Sequence, residues 1–271
     1  MSVQFIADIG SNHNSDIDRA VRLIEEAKRA GCSAAKFQLF DHTLSRELPI
    51  QAILDKRALP VGWLPRLRGA ANCNEIELHM TVTSVDSLMN CKDYVHALKI
   101  GSYEILCTDL ITLTASIGKP LSISTGGATS FEISKAVNAA ARGGVNAAML
   151  TLYHCSPMYP AKAEDCGLRK MVTLQQAFGC HVGWSDHTVK PGVIHTAIAM
   201  DAEVIEVHMD LDGLDGCESE HGHCWEVSRL RRLIKTVREG ESAMLGVRDN
   251  LDAMRMQRTD PRDGMRPMLG S

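Results

Sequence analysis

The chain has 271 residues, of which 45% are hydrophobic and 23% are charged. These fractions are ordinary for folded globular domains, so they exclude a disordered or low-complexity chain. Lys and Arg number 29 against 33 Asp and Glu, a net charge of -4, which argues against general binding to nucleic acid or to an anionic membrane surface. No stretch approaches the roughly 18 consecutive apolar residues that a membrane span needs.

The start of the chain and its cysteines predict a cytoplasmic protein. Residues 1–8 contain no basic region followed by an apolar stretch, so they do not have the pattern of an export signal. The nine cysteines are an odd number and form no CxxC pair. This usage favours reduced, buried thiols over a disulfide framework.

Short apolar runs rich in β-branched residues alternate with segments of helical period. The first predicted helix has Ser15 as its capping residue, another follows Ser130, and the last contains Leu230 and Val237. The predicted strands are Phe5–Asp8, Ala34–Leu39, Leu78–Thr83, His96–Ile100, Leu121–Ser124, Ala147–Tyr153, His181–Trp184 and Val204–Met209.

Eight βα units in a chain of this length predict the α/β fold class, as a single-domain parallel (β/α)8 TIM barrel. A doubly wound open sheet is disfavoured because no GxGxxG turn follows the first strand. We expect residues 1–247 to form the barrel and residues 248–271 to form a C-terminal polar arm.

Polar side chains end almost every predicted strand. The carboxyl ends of barrel strands meet at one mouth, and burying unpaired polar groups is costly, so we expect these side chains to converge in one site. They include Asp8, Lys36, Gln38, Thr83, Lys99, Ser102, Ser124, Thr125, Ser185, Asp186, His187, Glu206 and His208.

Two lysines interrupt otherwise apolar strands. Lys36 and Lys99 are costly there unless each meets an anion or lines a cavity, although a lysine that reaches outward to solvent is the alternative. Hydroxyl and backbone N–H groups around Ser102 and Ser124 can complete a cradle for a phosphate or a carboxylate. We therefore favour an anionic ligand.

Two histidines end the last two predicted strands. His187 and His208 would be neighbours across the mouth and suit a divalent metal, with Asp186 and Glu206 as orienting groups or further ligands. A satisfied core histidine is the alternative for each. The run from His221 to Cys224 has no matching second half, so we interpret it as a polar loop rather than a zinc cluster.

Seven stretches, in family order, resemble the barrel domain of the N-acetylneuraminate (sialic acid) synthase family, and the likeness covers almost the whole chain. They are DIGSNHN at 8–14, AKFQ at 35–38, KIGS at 99–102, GKP at 118–120 leading to STG at 124–126, HCS at 154–156 with YP at 159–160, SDHT at 185–188 and VIEVH at 204–208.

The resemblance implies that phosphoenolpyruvate condenses with the aldehyde of an open-chain sugar, giving a 2-keto acid and free phosphate. It implies a divalent metal cofactor, Mn²⁺ or Mg²⁺, held by His187 and His208, and a homodimer. Asp8, where the family has Glu, would handle a proton. The candidate catalytic residues are Asp8, Lys36, Lys99 and His187; the candidate substrate-binding residues are Gln38, Thr83, Ser102, Ser124, Thr125, Tyr159, Ser185 and Asp186.

Family members usually continue into an antifreeze-like domain, and this sequence stops at Ser271, so we expect the barrel domain alone and leave the aldehyde open. Two alternatives stay open beside the condensing enzyme. One is another metal-dependent barrel aldolase or lyase, which would release no phosphate. The other is a barrel without catalysis that acts as a binding partner.

Overall fold

The structure, a computed structural model, describes residues 2–40 and 58–245. The polar arm expected at residues 248–271 lies outside this range. Eight parallel strands close into a barrel, because each strand pairs with the next and β1 pairs with β8. The strands are β1 (Gln4–Asp8), β2 (Ala34–Leu39), β3 (Glu77–Val82), β4 (Ala97–Ile100), β5 (Leu121–Ser124), β6 (Leu150–Cys155), β7 (His181–Asp186) and β8 (Val204–Asp210).

Helices alternate with these strands, which confirms the predicted (β/α)8 TIM barrel. A short strand, β9 (Trp225–Glu226), pairs in parallel with the end of β8 and leads into the last helix. Among the described residues, no helix is long and apolar enough to cross a membrane. The helices are α1 (Ile17–Ala30), α2 (Leu64–Cys73), α3 (Val85–Cys91), α4 (Thr108–Ser116), α5 (Ser130–Arg142), α6 (Arg169–Phe178), α7 (Pro191–Ala199) and α8 (Val227–Leu245).

Some predicted boundaries are wrong for local reasons. Asp16, not Ser15, caps α1, because the Asp16 carboxylate accepts the N–H groups of residues 18 and 19. The strand predicted at Ala147–Tyr153 begins only at Leu150 and continues to Cys155. Asn146 accepts two backbone N–H groups and turns Ala147–Met149 into a 3₁₀ helix, so those apolar residues cannot extend the strand.

Strand alternation divides the barrel into an apolar outer face and a polar inner face. Outward side chains such as Phe5, Phe37 and Trp184 pack against the helices in one large core. Inside, a small apolar group of Ile6, Ala34, Tyr153 and Val204 fills the amino-terminal end of the barrel. Two residues further along β1, β2 and β8, the inward side chains are the buried, charged Asp8, Lys36 and Glu206, and these belong to the candidate site.

Candidate active site

A layer of buried charges lies next to the small apolar group inside the barrel, on the side towards the carboxyl ends of the strands. Asp8 and Lys36 face each other on adjacent strands, with Lys36 Nζ 2.6 Å from Asp8 Oδ2 and 3.0 Å from Thr81 Oγ1. Lys99 from β4 reaches across the barrel and donates to Glu206 Oε1. All four charged side chains are buried. The layer therefore balances two ammonium groups against two carboxylates in a site that is largely shielded from water.

The pairing keeps Asp8 and Lys36 ionised. Burial alone raises the pKa of Asp8, but the charges of Lys36, His208 and Lys99 together outweigh it and hold that pKa well below its usual range. Burial lowers the pKa of Lys36, and the carboxylates of Asp8 and Glu206 more than compensate, so the net shift is upward. The lysine ammonium is thus charged at neutral pH and paired with Asp8.

Hydroxyl and backbone groups line the same mouth beside the lysines. The Gly126 N–H donates to Ser102 Oγ over 3.1 Å, and Ser102 Oγ lies 3.5 Å from Cys155 Sγ. A Cβ at Gly126 would lie 2.7 Å from Cys155 Sγ, so only glycine permits this approach. Ser124 is buried at the end of β5. These groups lie where the sequence predicts a cradle for an anion, and that role stays a prediction.

The two predicted metal histidines are neighbours, with ring centroids 5.5 Å apart. His187 Nδ1 lies 2.7 Å from the Ser156 carbonyl oxygen, which only accepts, so Nδ1 carries the proton and Nε2 keeps its lone pair. His208 Nδ1 bonds Glu218 Oε2 over 2.9 Å, which leaves His208 Nε2 facing the interior, 3.8 Å from Asp8 Oδ2. This arrangement fits a divalent cation held by two Nε2 atoms.

The two histidines differ in their proton affinity. Burial, helped by the neighbouring charge of His208, lowers the pKa of His187 well below its ordinary value, so this ring is neutral and ready to coordinate. Burial also lowers the pKa of His208, but Asp8 and Glu218 outweigh it and raise that pKa. The two rings of the pair therefore differ in charge environment, because carboxylates contact His208 and none contacts His187 at hydrogen-bond distance among the described residues.

Other predicted residues lie around this centre. Gln38 Nε2 donates to Asp8 Oδ2 over 3.2 Å, and Ser185 Oγ donates to Glu206 Oε1 over 3.3 Å. The Tyr159 ring stacks on His187 with centroids 3.9 Å apart. Two threonines donate to backbone carbonyls: Thr83 Oγ1 to Leu39, and Thr125 Oγ1 to Tyr153.

The structure does not bring Asp186 into this group. Its strand position alternates to the outer face, where Trp184 and Trp225 donate their indole N–H groups to its two carboxylate oxygens, each over 3.1 Å. Thr188 Oγ1 also donates to it, over 2.7 Å. Asp186 thus ties the barrel wall to β9 and stands behind the site.

Sequence reasoning missed two side chains that the structure adds. Glu218 orients His208, and its other oxygen accepts the Ser11 N–H over 2.7 Å. His223 is buried, with its ring centroid 4.7 Å from that of His208, so this residue of the loop at 221–224 turns towards the site. Both follow β8 in a loop without periodicity, and only the density of His and Glu there signals a site.

Residues 23–249 match the NeuB family, a span that includes seven of the eight barrel strands and both His187 and His208. The chain belongs to the NeuB family. This result confirms the resemblance to the sialic acid synthases that the sequence motifs indicated.

Relatives of this NeuB family chain include named synthases. It is 31% identical to N,N'-diacetyllegionaminic acid synthase of Campylobacter jejuni, over 88% of this chain and 76% of that protein. It is 31% identical to pseudaminic acid synthase of Helicobacter pylori, over 77% and 66%. The solved structure of N-acetylneuraminic acid synthetase from Leptospira borgpetersenii superposes with a TM-score of 0.84 at 26% identity, covering 97% of this chain and 93% of that one.

Proposed function

We propose that this NeuB family barrel condenses phosphoenolpyruvate with the aldehyde of an open-chain sugar to give a nonulosonic or similar 2-keto acid and free phosphate. The observation that carries the proposal is the joint placement of Lys36, Lys99 and the Nε2 atoms of His187 and His208 at one barrel mouth. Relatives named as legionaminic and pseudaminic acid synthases support this reaction class.

The proposed reaction makes one C–C bond and, at C2, replaces the C–O bond to phosphate by a C–O bond from water. C3 of the enol phosphate attacks the aldehyde carbon, and the aldehyde oxygen takes up a proton. Water adds at C2 and gives up both of its protons, one to the new alkoxide and one to the departing phosphate, and the C2–O bond to phosphate breaks to leave the ketone. The site must therefore stabilise a new alkoxide and a departing phosphate.

The residues of the chain divide this task by their chemistry. Lys36 and Lys99 attract the phosphate and carboxylate, and the hydroxyls of Ser102, Ser124 and Ser185 with Thr83 and Thr125 orient them. Asp8, ionised beside Lys36 and Gln38, accepts the proton of the attacking water or of a sugar hydroxyl. His187 and His208 would hold Mn²⁺ or Mg²⁺, which supplies Lewis-acid polarisation of the aldehyde oxygen when bound.

Location and assembly belong to the same proposal. The nine cysteines of the described residues are all free, which supports a reducing, cytoplasmic compartment. The homodimer expected from the resemblance stays a prediction for light-scattering measurements, and so does the absence of nucleic-acid and membrane partners.

The test is phosphate release from phosphoenolpyruvate with Mn²⁺, against a panel of N-acetylated hexosamines, hexoses, pentoses and their phosphates. Metal-stripped protein and Lys99→Met should be inactive, and Lys235→Met, which changes an exposed lysine on α8, should match the parent. Aldehyde consumption without phosphate release would favour the aldolase alternative. A folded parent that binds neither phosphoenolpyruvate nor a divalent cation would favour the barrel without catalysis.

A further inference from the structure

His223 is a buried histidine that the proposed reaction does not use. It lies in the loop between β8 and β9 and is only 4% exposed. Its Nδ1 is shielded from water and has no hydrogen-bond partner among the described residues. Its ring stands edge-on to that of His208, at 4.7 Å and 77°, and edge-on to that of Tyr159, at 5.0 Å. A buried ring nitrogen without a hydrogen-bond partner is costly, so its position needs a cause.

The geometry around His223 is that of a cation site. His208, Glu218 and His223 each offer a ligand atom, and these atoms all lie within 4.8 Å of one another. Nitrogen ligands about 2.0–2.2 Å from one ion lie roughly 3–4 Å apart, so side-chain movements of about 1 Å would bring His223 and His208 to a common cation, with Glu218 as the group that orients His208. Since Glu218 already bonds His208 Nδ1, it fixes the direction in which His208 presents Nε2.

The surroundings of the His223 ring suit a ligand. Its Nδ1 is buried with no hydrogen-bond partner among the described residues, so a lone pair on that nitrogen has no competing protein donor. His221, two residues away, is exposed, and its ring stacks on that of His223 with centroids 6.1 Å apart. The two histidines of one loop therefore have different environments.

We propose that His223 is an additional protein ligand, beside His208 and His187, of the divalent cation held at the barrel mouth. This inference rests on the proposed function for the cation itself and deepens it by naming the ligand set. A third imidazole shifts the preference of the site away from Mg²⁺, which prefers oxygen ligands and water, and towards cations such as Zn²⁺, Co²⁺ and Fe²⁺.

The first experiment measures metal binding without turnover. Chelator-stripped parent, His223→Ala, His223→Gln and the matched loop control His221→Ala are titrated with Co²⁺, and the visible d–d absorption is recorded. We expect at least tenfold weaker Co²⁺ binding and an altered d–d band in both His223 variants, and parent behaviour in His221→Ala. Mg²⁺ binding, followed by calorimetry, should change less than Co²⁺ binding.

A second experiment uses the unaltered chain, so it does not depend on how the variants fold. Protein with ¹⁵N-labelled histidine rings is titrated with Zn²⁺ and followed by NMR. Three buried rings should each show a coordination shift at one nitrogen, at one ion per chain. Shifts in two rings only, or unchanged Co²⁺ affinity and spectrum in folded His223→Gln, would overturn the assignment of His223 while leaving the proposed reaction intact. A parent that releases phosphate yet binds no cation would overturn it as well.

Discussion

Asp8 is the residue whose identity bears most directly on the proposed chemistry. The resemblance places a longer Glu at this position, and here the shorter carboxylate lies 2.6 Å from Lys36 Nζ and 3.8 Å from His208 Nε2. Its lowered pKa keeps it ionised at any pH at which the protein works. It can thus accept a proton only from a group that is made acidic in the reaction, such as a water adding to an activated carbon.

We expect Asp8→Asn to lower turnover at least 100-fold, because an amide occupies the same space but cannot accept that proton. It should also destabilise the fold by about 3–5 kcal/mol, because it leaves the buried Lys36 without its nearest counter-charge. Phosphate release and urea unfolding measure the two effects. Asp93→Asn, an exposed change beside Lys92, is the matched control. Full turnover in Asp8→Asn would assign the proton to another group.

Protonation of the buried His13 should make the folded protein less stable as the pH falls. It is buried against Phe37 and Trp63, and Nδ1 accepts the Ser15 N–H over 3.1 Å. Burial lowers its pKa to about 4, so as the pH falls the unfolded chain takes up this proton before the folded chain does. The stability that neutral His13 contributes is therefore fully present above about pH 6.5 and is lost as the pH falls towards 4.

Between pH 7.5 and pH 5.0, this group alone should cost the parent about 2 kcal/mol of unfolding free energy. His13→Asn keeps an acceptor for the Ser15 N–H but does not titrate in this range, so its loss should be smaller by that amount. Urea unfolding of both proteins at the two pH values gives the difference, in which His223 and other titrating groups cancel. Equal losses would show that His13 does not control acid stability.

At the scale of elements, the helix caps offer the simplest test of the local structure. Asp16 accepts two N–H groups in the first turn of α1, while Asp18, in that same turn, pairs with Arg66 on the surface. Asp16→Ala should cost about 1 kcal/mol, or roughly 2–4 °C in melting temperature. Asp18→Ala should cost less than half as much, because exposed ion pairs contribute little. Scanning calorimetry gives the melting temperatures of the two variants. Equal decreases in melting temperature would contradict the assignment of Asp16 as the helix cap.

Most of the barrel could be predicted from the sequence, because the alternation of apolar strands with amphipathic helices directly encodes its layers. Boundaries failed where one side chain competes with the pattern: Asn146 converts an apolar run into a 3₁₀ helix, and Asp16 takes the cap expected at Ser15. In both cases a side-chain hydrogen bond determines where the element begins, and the periodicity of hydrophobic residues does not reveal that bond.

The site could be predicted only as far as the sequence shows which residues of each strand point into the barrel. Inward positions such as Lys36, Lys99 and His208 follow from placing polar residues at strand ends. Asp186 has the same sequence signal but the opposite parity, and a shift of one residue sends it to the outer face. His223 lies in a loop with no period, so its burial depends on how the loop folds back over β8, which no local pattern shows.

The net charge of the whole molecule does not favour anions, so anion binding has to depend on individual lysines. The chain carries a net charge of -4, so a phosphate ester would gain no general attraction, and in the proposed reaction its counter-charges are the lysines inside the barrel. These lysines are already paired with Asp8 and Glu206. An anion that binds there must lose its own hydration and replace a carboxylate as the partner of a lysine. We therefore expect its affinity to increase with the number of its charged groups, and its binding to stabilise the whole barrel.

We therefore expect phosphoenolpyruvate to raise the melting temperature by several degrees, since a ligand at 100 times its dissociation constant adds about 2.7 kcal/mol. Pyruvate, which lacks the phosphate, should have a much smaller effect. In Lys99→Met the ligand-induced shift should largely vanish, whatever the variant's own melting temperature, because Glu206 loses its lysine partner and the anion loses its cation. Lys235→Met should respond like the parent. An unchanged shift in Lys99→Met would place the anion outside the barrel interior.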